Sequence, residues 1–267
     1  QDRVAYVATK LFEDVTPPRL LPAIAVIGTP AIEAAFARQR YPHKRLVIVT
    51  AETASRSVDE LVAPDELVAP FAAEGVDVKA ALTAVERKNL PVFGYGVKAF
   101  GLSAVEAAIS ITAGRVPVEV IGQIVDMIHD QLSAPVRLLD HVPEVLAAVG
   151  ACYPLVLITK GDLIHQTHKV ETSGLAHHFQ RVEIVLEKDP ATYDRVFREV
   201  GVDPERVCMV GNSVRSDVLP VIALGGTAVH VPYPLLWELE HVDDDSYPPD
   251  HFVELPSIAA LPDWLGI

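Results

Sequence analysis

Short apolar runs alternate with amphipathic helical segments along the second half of the chain. From Leu138 onward, runs rich in Val, Ile and Leu recur between stretches whose apolar residues repeat every three to four positions. The predicted strands are Leu155–Thr159, Arg181–Leu186, Arg206–Val210 and Thr227–His230. The predicted helices are Val142–Ala148, Ile164–Ser173, Ala191–Val200 and Ser216–Leu224. This alternation predicts an α/β fold, in which helices cover both faces of a parallel sheet.

Residues 58–137 carry a different pattern. Alanine-rich stretches such as ELVAPDELVAPFAAEG and SAVEAAISITAG have helical spacing, and the segment LPVFGYGVKAF, with its two glycines, predicts a loop or hinge between helices. We therefore predict three parts: an N-terminal segment (1–57) with the first core strand, a helical insert (58–137) and an α/β core (138–267). The tail from residue 241 is rich in proline and acid, which predicts a segment that runs over the surface.

Composition and charge narrow the classes of function. The net charge is −14 and the basic residues are not clustered, which argues against nucleic-acid binding. The longest apolar stretch, about Leu20–Ala37, is interrupted at residues 28–30 and contains Glu33, so no membrane span is predicted. Cys152 and Cys208 lie in or beside apolar runs, as expected of reduced thiols in the cytoplasm. We expect a cytoplasmic protein, and the sequence does not define its oligomeric state.

Polar side chains follow three of the predicted strands. They are Thr159, Lys160 and Gly161 after the first strand, Lys188 after the second, and Asn212 and Asp217 after the third. The carboxyl ends of parallel strands meet at one edge of a sheet, where ligands collect. A hydroxyl, an ammonium group and several oxygen donors at that edge predict a site for phosphate and Mg²⁺.

Each of these residues also has an ordinary structural explanation. Thr159 could be an ordinary hydroxyl at the end of a strand, and Lys188 could be a solvated lysine on the surface. Asn212 or Ser213 would cap the next helix, and Asp217 would then lie favourably in its first turn. Their combined order and spacing favour a functional site.

The same residues resemble motifs of the haloacid dehalogenase (HAD) superfamily. Thr159 after a strand, Lys188 in EKDPATY, and VGNSVRSD are similar to its second, third and fourth motifs, and the helical insert resembles its cap domain. The resemblance covers residues 58–230 approximately. It implies a HAD-like Rossmannoid core with a helical cap, and a Mg²⁺-dependent phosphohydrolase that acts on a small phosphorylated molecule.

The resemblance also implies a role for each matched residue. Thr159 would hydrogen-bond the phosphoryl group, with Lys160 and Gly161 beside it in the substrate site. Lys188 would neutralise the phosphoryl group and orient the nucleophile. Asp217 would hold Mg²⁺ with help from Asn212, which stands where many members have an acid.

The chain departs from the family upstream. The first HAD motif is a strand that ends in Asp-x-Asp-x-Thr, whose first carboxylate attacks phosphorus and whose second is the acid and base. That string is absent, and the best-placed strand, in RLVIVTAETAS, has Thr50 at the nucleophile position and Glu52 at the acid/base position. The segment LFEDVT keeps Asp14-x-Thr16 but has Phe12 at the nucleophile position and lies far from the insert.

Two explanations of this departure stay open. Either the chain has lost the covalent chemistry and binds phosphate or a partner, or its first fifty or so residues differ from those of the native protein. A dehalogenase would share the fold without a metal, but it too needs an aspartate nucleophile. A receiver domain also carries Asp, Thr and Lys at strand ends, yet its short connections disagree with the large insert.

Overall fold

The structure is a computed structural model that describes residues 46–49, 64–234, 237–242 and 252–267. The chain divides into two compact units. The core unit comprises residues 1–53, 137–159 and 166–267, and the helical unit comprises residues 54–136 and 160–165. The sequence pattern also predicts strands at Val4–Ala8 and Ala23–Ile27 and a helix after Pro30. These segments and the one around Asp14 lie outside the described residues.

A sheet of six strands forms the centre of the described core unit. The strands are β1 (Leu46–Val49), β2 (Leu155–Lys160), β3 (Phe179–Val185), β4 (Val207–Gly211), β5 (Thr227–His230) and β6 (Phe252–Glu254). They lie in the order β3-β2-β1-β4-β5-β6, and β1 pairs in parallel with both β2 and β4. The pairs β4–β5 and β5–β6 are also parallel. Val49 lies opposite Val210, and Gly211 opposite His230, so β1, β4 and β5 end at one edge.

Helices pack on both faces of this sheet, as the sequence predicts. They are α5 (Val142–Cys152), α6 (Leu163–Ser173), α7 (Pro190–Val200), α8 (Leu219–Ala223) and α9 (Leu261–Leu265). Successive residues of β2 point to opposite faces: Leu155 and Leu157 pack with α5 and α9, whereas Val156 and Ile158 pack with α7 and α8. The buried apolar runs therefore become central strands covered on both sides.

The helical unit contains four α-helices among the described residues. They are α1 (Pro64–Val68), α2 (Val78–Phe93), α3 (Val97–Ile111) and α4 (Val118–Ser133). Gly101 of α3 allows the close approach of Ile128 of α4, because a Cβ on Gly101 would lie 2.0 Å from Cδ1 of Ile128. None of the described helices combines the length and apolarity that a membrane crossing requires.

The loop predicted over LPVFGYGVKAF is much shorter than expected. Helix α2 continues to Phe93 and α3 begins at Val97, so only residues 94–96 leave the helices. Gly94 and Gly96 have φ angles of 70° and 116°, which residues with a Cβ rarely adopt. Pro91 lies in the last turn of α2, where it removes the single backbone hydrogen bond that its N–H would have donated.

The prediction that the tail runs over the surface is wrong for its last residues. Phe252–Glu254 forms the edge strand β6. Beyond it, buried apolar side chains join the core cluster below α5; they are Leu255, Ile258, Leu261, Trp264 and Leu265. The last four of these recur every three to four residues, which is a helical repeat that the prolines and acids conceal.

Replacing Leu261 should therefore destabilise the protein strongly. Leu261 is fully buried, so Leu261→Ala removes buried methyl groups and leaves a cavity, at a cost of about 2–5 kcal/mol in the free energy of unfolding. Urea unfolding followed by circular dichroism measures this change. Ile267→Ala is the control, since Ile267 is 41% exposed, and it should change stability by less than about 0.5 kcal/mol. Equal effects of the two variants would contradict a core role for the tail.

Candidate functional site

Lys188 and Asp217 form a buried ion pair at the end of the sheet. Nζ of Lys188 lies 2.5 Å from Oδ1 of Asp217, and the two side chains are 6% and 1% exposed. The pair joins the loop that follows β3 to the turn that follows β4. The structure thus brings together two residues that lie 29 positions apart in the sequence.

Gly211 makes room for the Asp217 carboxylate. A Cβ on Gly211 would lie 2.3 Å from Oδ2 and 2.4 Å from Cγ of Asp217, closer than non-bonded atoms approach. Strand β4 therefore ends in glycine because the carboxylate packs against its Cα. The sequence analysis gave Gly211 no role, although a glycine at the end of an apolar strand signals close approach of another group.

Ser213 holds the turn that carries Asp217. Its backbone N–H donates to Oδ2 of Asp217 at 3.0 Å, and its Oγ accepts from the N–H of Ser216 at 3.0 Å. Its carbonyl accepts from the N–H groups of Asp217 and Val218, at 2.7 and 3.3 Å, which produces a π-helical turn over Val214–Val218. This turn replaces the first part of the helix predicted at Ser216–Leu224. Ser213 is the cap, so capping and the positioning of Asp217 are two roles of one turn.

His230 fixes the backbone of Asn212. Its Nε2 lies 3.1 Å from the carbonyl oxygen of Asn212, and its Nδ1 lies 2.9 Å from Oε2 of Glu254. A carbonyl oxygen only accepts, so Nε2 donates in this contact. The ring links the turn after β4 to the edge strand β6, which leaves Asn212 buried on the same turn as Asp217. No signal in the sequence pattern singled out His230.

Helix α7 begins directly after Lys188 and is tied to the same turn. Asp189 caps it, because Oδ1 accepts from the N–H of Thr192 at 2.7 Å. The hydrogen bond from this backbone N–H holds the pKa of Asp189 below its ordinary value. One helical turn on, the buried hydroxyl of Tyr193 donates to the carbonyl of Ser216 at 3.0 Å. Lys188 is therefore fixed by a capped helix that contacts the Asp217 turn.

The remaining predicted site residues lie on other elements than the Lys188 loop and the Asp217 turn. Thr159 is half-buried near the end of β2, which is separated from β4 by β1. Lys160 and Gly161 belong to the helical unit, where Nζ of Lys160 lies 3.9 Å from the ring centroid of Tyr95. Thr50 and Glu52 lie outside the described residues. Within the described ranges, no three His, Cys, Asp or Glu side chains converge in a way that would hold a metal ion.

Comparison with known proteins identifies the family. Residues 26–225, more than half of the chain, match the family model of the haloacid dehalogenase-like hydrolases. The chain belongs to this hydrolase family. The resemblance noted in the sequence, and the HAD-like α/β fold that it implies, are therefore confirmed.

Solved structures agree with this assignment. A haloacid dehalogenase-like family hydrolase from Xanthomonas campestris is 40% identical, with 75% of this chain and 78% of that chain covered and a TM-score of 0.65. A 2-haloacid dehalogenase from Pseudomonas syringae pv. tomato is 20% identical, with 80% and 94% covered and a TM-score of 0.50. The HAD-family protein YfnB of Bacillus subtilis, bound to magnesium, is 13% identical, with 76% and 92% covered and a TM-score of 0.52. Among curated proteins, none matches the chain.

Replacing Gly211 should displace the Asp217 carboxylate from its ion pair with Lys188. Gly211→Ala forces a methyl group into the carboxylate, and overpacking of this kind costs about 1–3 kcal/mol in the free energy of unfolding. Urea unfolding measures that cost. The matched control is Gly122→Ala, where a Cβ would meet nothing within 4 Å on an exposed helix face, and it should be neutral or slightly stabilising. A Gly211→Ala protein as stable as the control would contradict the packing described here.

The cap of α7 should make a pH-dependent contribution to stability. Asp189→Ala removes a helix cap and should cost about 1 kcal/mol at pH 7. The pKa of Asp189 is lowered in the folded protein. Its contribution is therefore complete above the unfolded pKa, about 3.9, and is lost as the pH falls through the folded value.

The difference in unfolding free energy between wild type and Asp189→Ala should accordingly shrink as the pH falls below the unfolded pKa and through the lower folded one. Urea unfolding over this pH range measures the difference. Asp140→Ala, at an exposed position of the core unit, serves as the control and should show little effect at any pH. A difference that grew towards low pH would contradict the assignment.

Proposed function

We propose that this chain hydrolyses the phosphate ester of a small molecule in the presence of Mg²⁺. The observation that carries the proposal is the Lys188 ammonium, held by Asp217 at the carboxyl edge of a parallel sheet. A protein with a net charge of −14 repels an anionic substrate unless its site supplies local positive charge. Lys188 lies at the edge where such sheets bind ligands, and it would supply that charge together with a Mg²⁺ ion that offsets the Asp217 carboxylate.

Two residues at or just after the ends of different strands would each bind the phosphoryl group. In this proposal the Thr159 hydroxyl donates a hydrogen bond to a phosphoryl oxygen, and Lys188 neutralises its charge. Charge-assisted hydrogen bonds to phosphate oxygens are stronger than neutral ones, so Lys188 carries most of the binding.

The donor groups on the Asp217 turn fit a magnesium ion in chemical type. Mg²⁺ is bound in proteins by one or two carboxylates together with waters and substrate phosphate. Asp217 offers a carboxylate and Asn212 an amide oxygen, both buried and five positions apart on one turn. Asp217 and Asn212 would hold the ion. When bound, it would supply charge neutralisation at a phosphoryl oxygen.

Thr50 changes how the ester is attacked. A threonine forms no acyl phosphate, so we take the nucleophile to be water and Glu52 to be its base. The oxygen of water bonds to phosphorus as the bond from phosphorus to the ester oxygen breaks. Glu52 takes the proton of the water and returns it to the departing alkoxide, which gives an alcohol and inorganic phosphate.

Thr50 also motivates a second candidate from another class. A chain that keeps Lys188 and Asp217 but lacks the nucleophilic carboxylate would bind phosphate or a partner without hydrolysis. Removal of the attacking group abolishes covalent catalysis and leaves the anion-binding groups in place.

Phosphatase turnover should depend on Mg²⁺ and on both members of the ion pair. Lys188→Met and Asp217→Asn should each lower kcat/KM for p-nitrophenyl phosphate by about 100-fold or more, the usual effect of losing a group that stabilises transition-state charge. Circular dichroism should show that both variants are folded. The controls are Lys79→Met and Asp203→Asn at exposed positions, which should leave turnover unchanged.

Other results would redirect the assignment. Turnover that neither variant affects would remove Lys188 and Asp217 from the site. Calorimetric binding of inorganic phosphate by a protein that turns over no ester would support the second candidate. Chloride release from 2-chloropropionate without Mg²⁺ would show a dehalogenase.

A further inference from the structure

Glu240 is a buried carboxylate that the proposed reaction does not use. It lies on the short helical turn Glu238–Glu240 and is 7% exposed. Its Oε2 accepts hydrogen bonds from the hydroxyls of Ser213 and Ser216, both at 2.5 Å. Burial of a charged group is costly unless it is hydrogen-bonded, and these distances are those of short O–H···O⁻ contacts. The carboxylate is thus anchored to the turn that carries Asp217.

The two serines transmit this anchoring to Asp217. A hydroxyl has one hydrogen to donate, and Ser213 directs it to Glu240 while its oxygen accepts from the N–H of Ser216. The same serine donates its backbone N–H to Oδ2 of Asp217. Glu240 therefore fixes the orientation in which Ser213 caps the turn and holds the Asp217 carboxylate.

Glu240 is itself held in place by contacts that do not involve the two serines. The guanidinium of Arg215 donates to the carbonyl of Leu239 at 2.7 Å, and the N–H of Glu240 donates to the carbonyl of Trp237 at 2.8 Å. Leu239 is buried beside it. Contacts other than those of the Glu240 carboxylate therefore also hold the segment 237–242 against the π-helical turn.

We infer that Glu240 is a positioning residue, which locks the Ser213–Asp217 turn and so fixes the Asp217 carboxylate against Lys188. Its effect on turnover rests on the proposed function, whereas its effect on the turn does not. Glu240 acts through the two serine hydroxyls. A group that orients the partner of a site residue commonly affects activity as strongly as a direct contact.

Amide hydrogen exchange tests the lock without any assay of activity. Glu240→Gln keeps the shape of the side chain but replaces the charged carboxylate with a neutral amide, whose single oxygen accepts weaker hydrogen bonds from the two hydroxyls. In ¹⁵N-labelled protein, the amides of Ser213, Ser216 and Asp217 should exchange about 10- to 100-fold faster than in wild type, because two hydrogen bonds to a charged acceptor are replaced by weaker bonds to a neutral one. Amides of α7 and β5 should keep their wild-type rates.

Two further variants sharpen the test. Ser216→Ala removes one of the two hydroxyl donors and should speed exchange of the same amides, and Ser216→Ala combined with Glu240→Gln should add little to Glu240→Gln alone. Glu199→Gln is the matched control, since Glu199 is an exposed carboxylate that pairs with Arg181 and Arg195. It should leave the three amides unchanged.

Steady-state kinetics separately test the effect of Glu240 on turnover. With p-nitrophenyl phosphate, Glu240→Gln should lower kcat by about 10- to 100-fold while KM changes by less than about threefold, as expected when a transition-state contact is disturbed. Unchanged exchange at the three amides, or equally faster exchange throughout the core unit, would overturn the positioning role. A wild-type protein without turnover would defeat the proposed function, and the exchange rates would still decide the role of Glu240.

Discussion

The buried contact between Lys188 and Asp217 is the constraint around which the core unit is arranged. Two charges inside a protein are stable only when they face each other and their remaining hydrogen-bonding positions are filled. The structure meets that condition from several sides. Gly211 gives up its side chain to admit the carboxylate, Ser213 offers an N–H to its second oxygen, and a capped helix begins directly behind the lysine. These three features of the local sequence therefore all accommodate or position one ion pair.

The parallel sheet explains why this pair lies at an edge where a ligand can reach. Strands β1, β4 and β5 end in register, so the turns that follow them face the same side. The sheet is buried on both faces and needs continuous apolar strands, which leaves its polar residues to the turns. Family membership follows from this arrangement together with the match over residues 26–225. In the proposed function, the chemistry depends on the sequence that follows β1, where Thr50 and Glu52 stand at the positions at which the family motif has two aspartates.

Much of the core could be predicted from the sequence, because strand and helix periodicities differ and apolar runs between polar turns are clear signals. The strands β2, β4 and β5 and the residues Lys188 and Asp217 were found in this way. Gly211 and His230 were not, since one acts by the absence of a side chain and the other by contacts with Asn212 and Glu254 that only the fold creates. The loop expected at LPVFGYGVKAF was overestimated because its two glycines indicate a break but not its length, and α2 continues through Pro91 to Phe93. The roles of the site residues remain predictions.

Through His230, the turn after β4 depends on the edge strand β6. One imidazole ring spans from the carbonyl of Asn212 to the carboxylate of Glu254, and the strand that carries Glu254 is anchored by the apolar residues that follow it. The orientation of a peptide group beside Asp217 is thus set by a segment that lies well downstream of the ion pair in the sequence. Loosening that segment would leave Lys188 and Asp217 in the sequence but would disturb the backbone that aligns them.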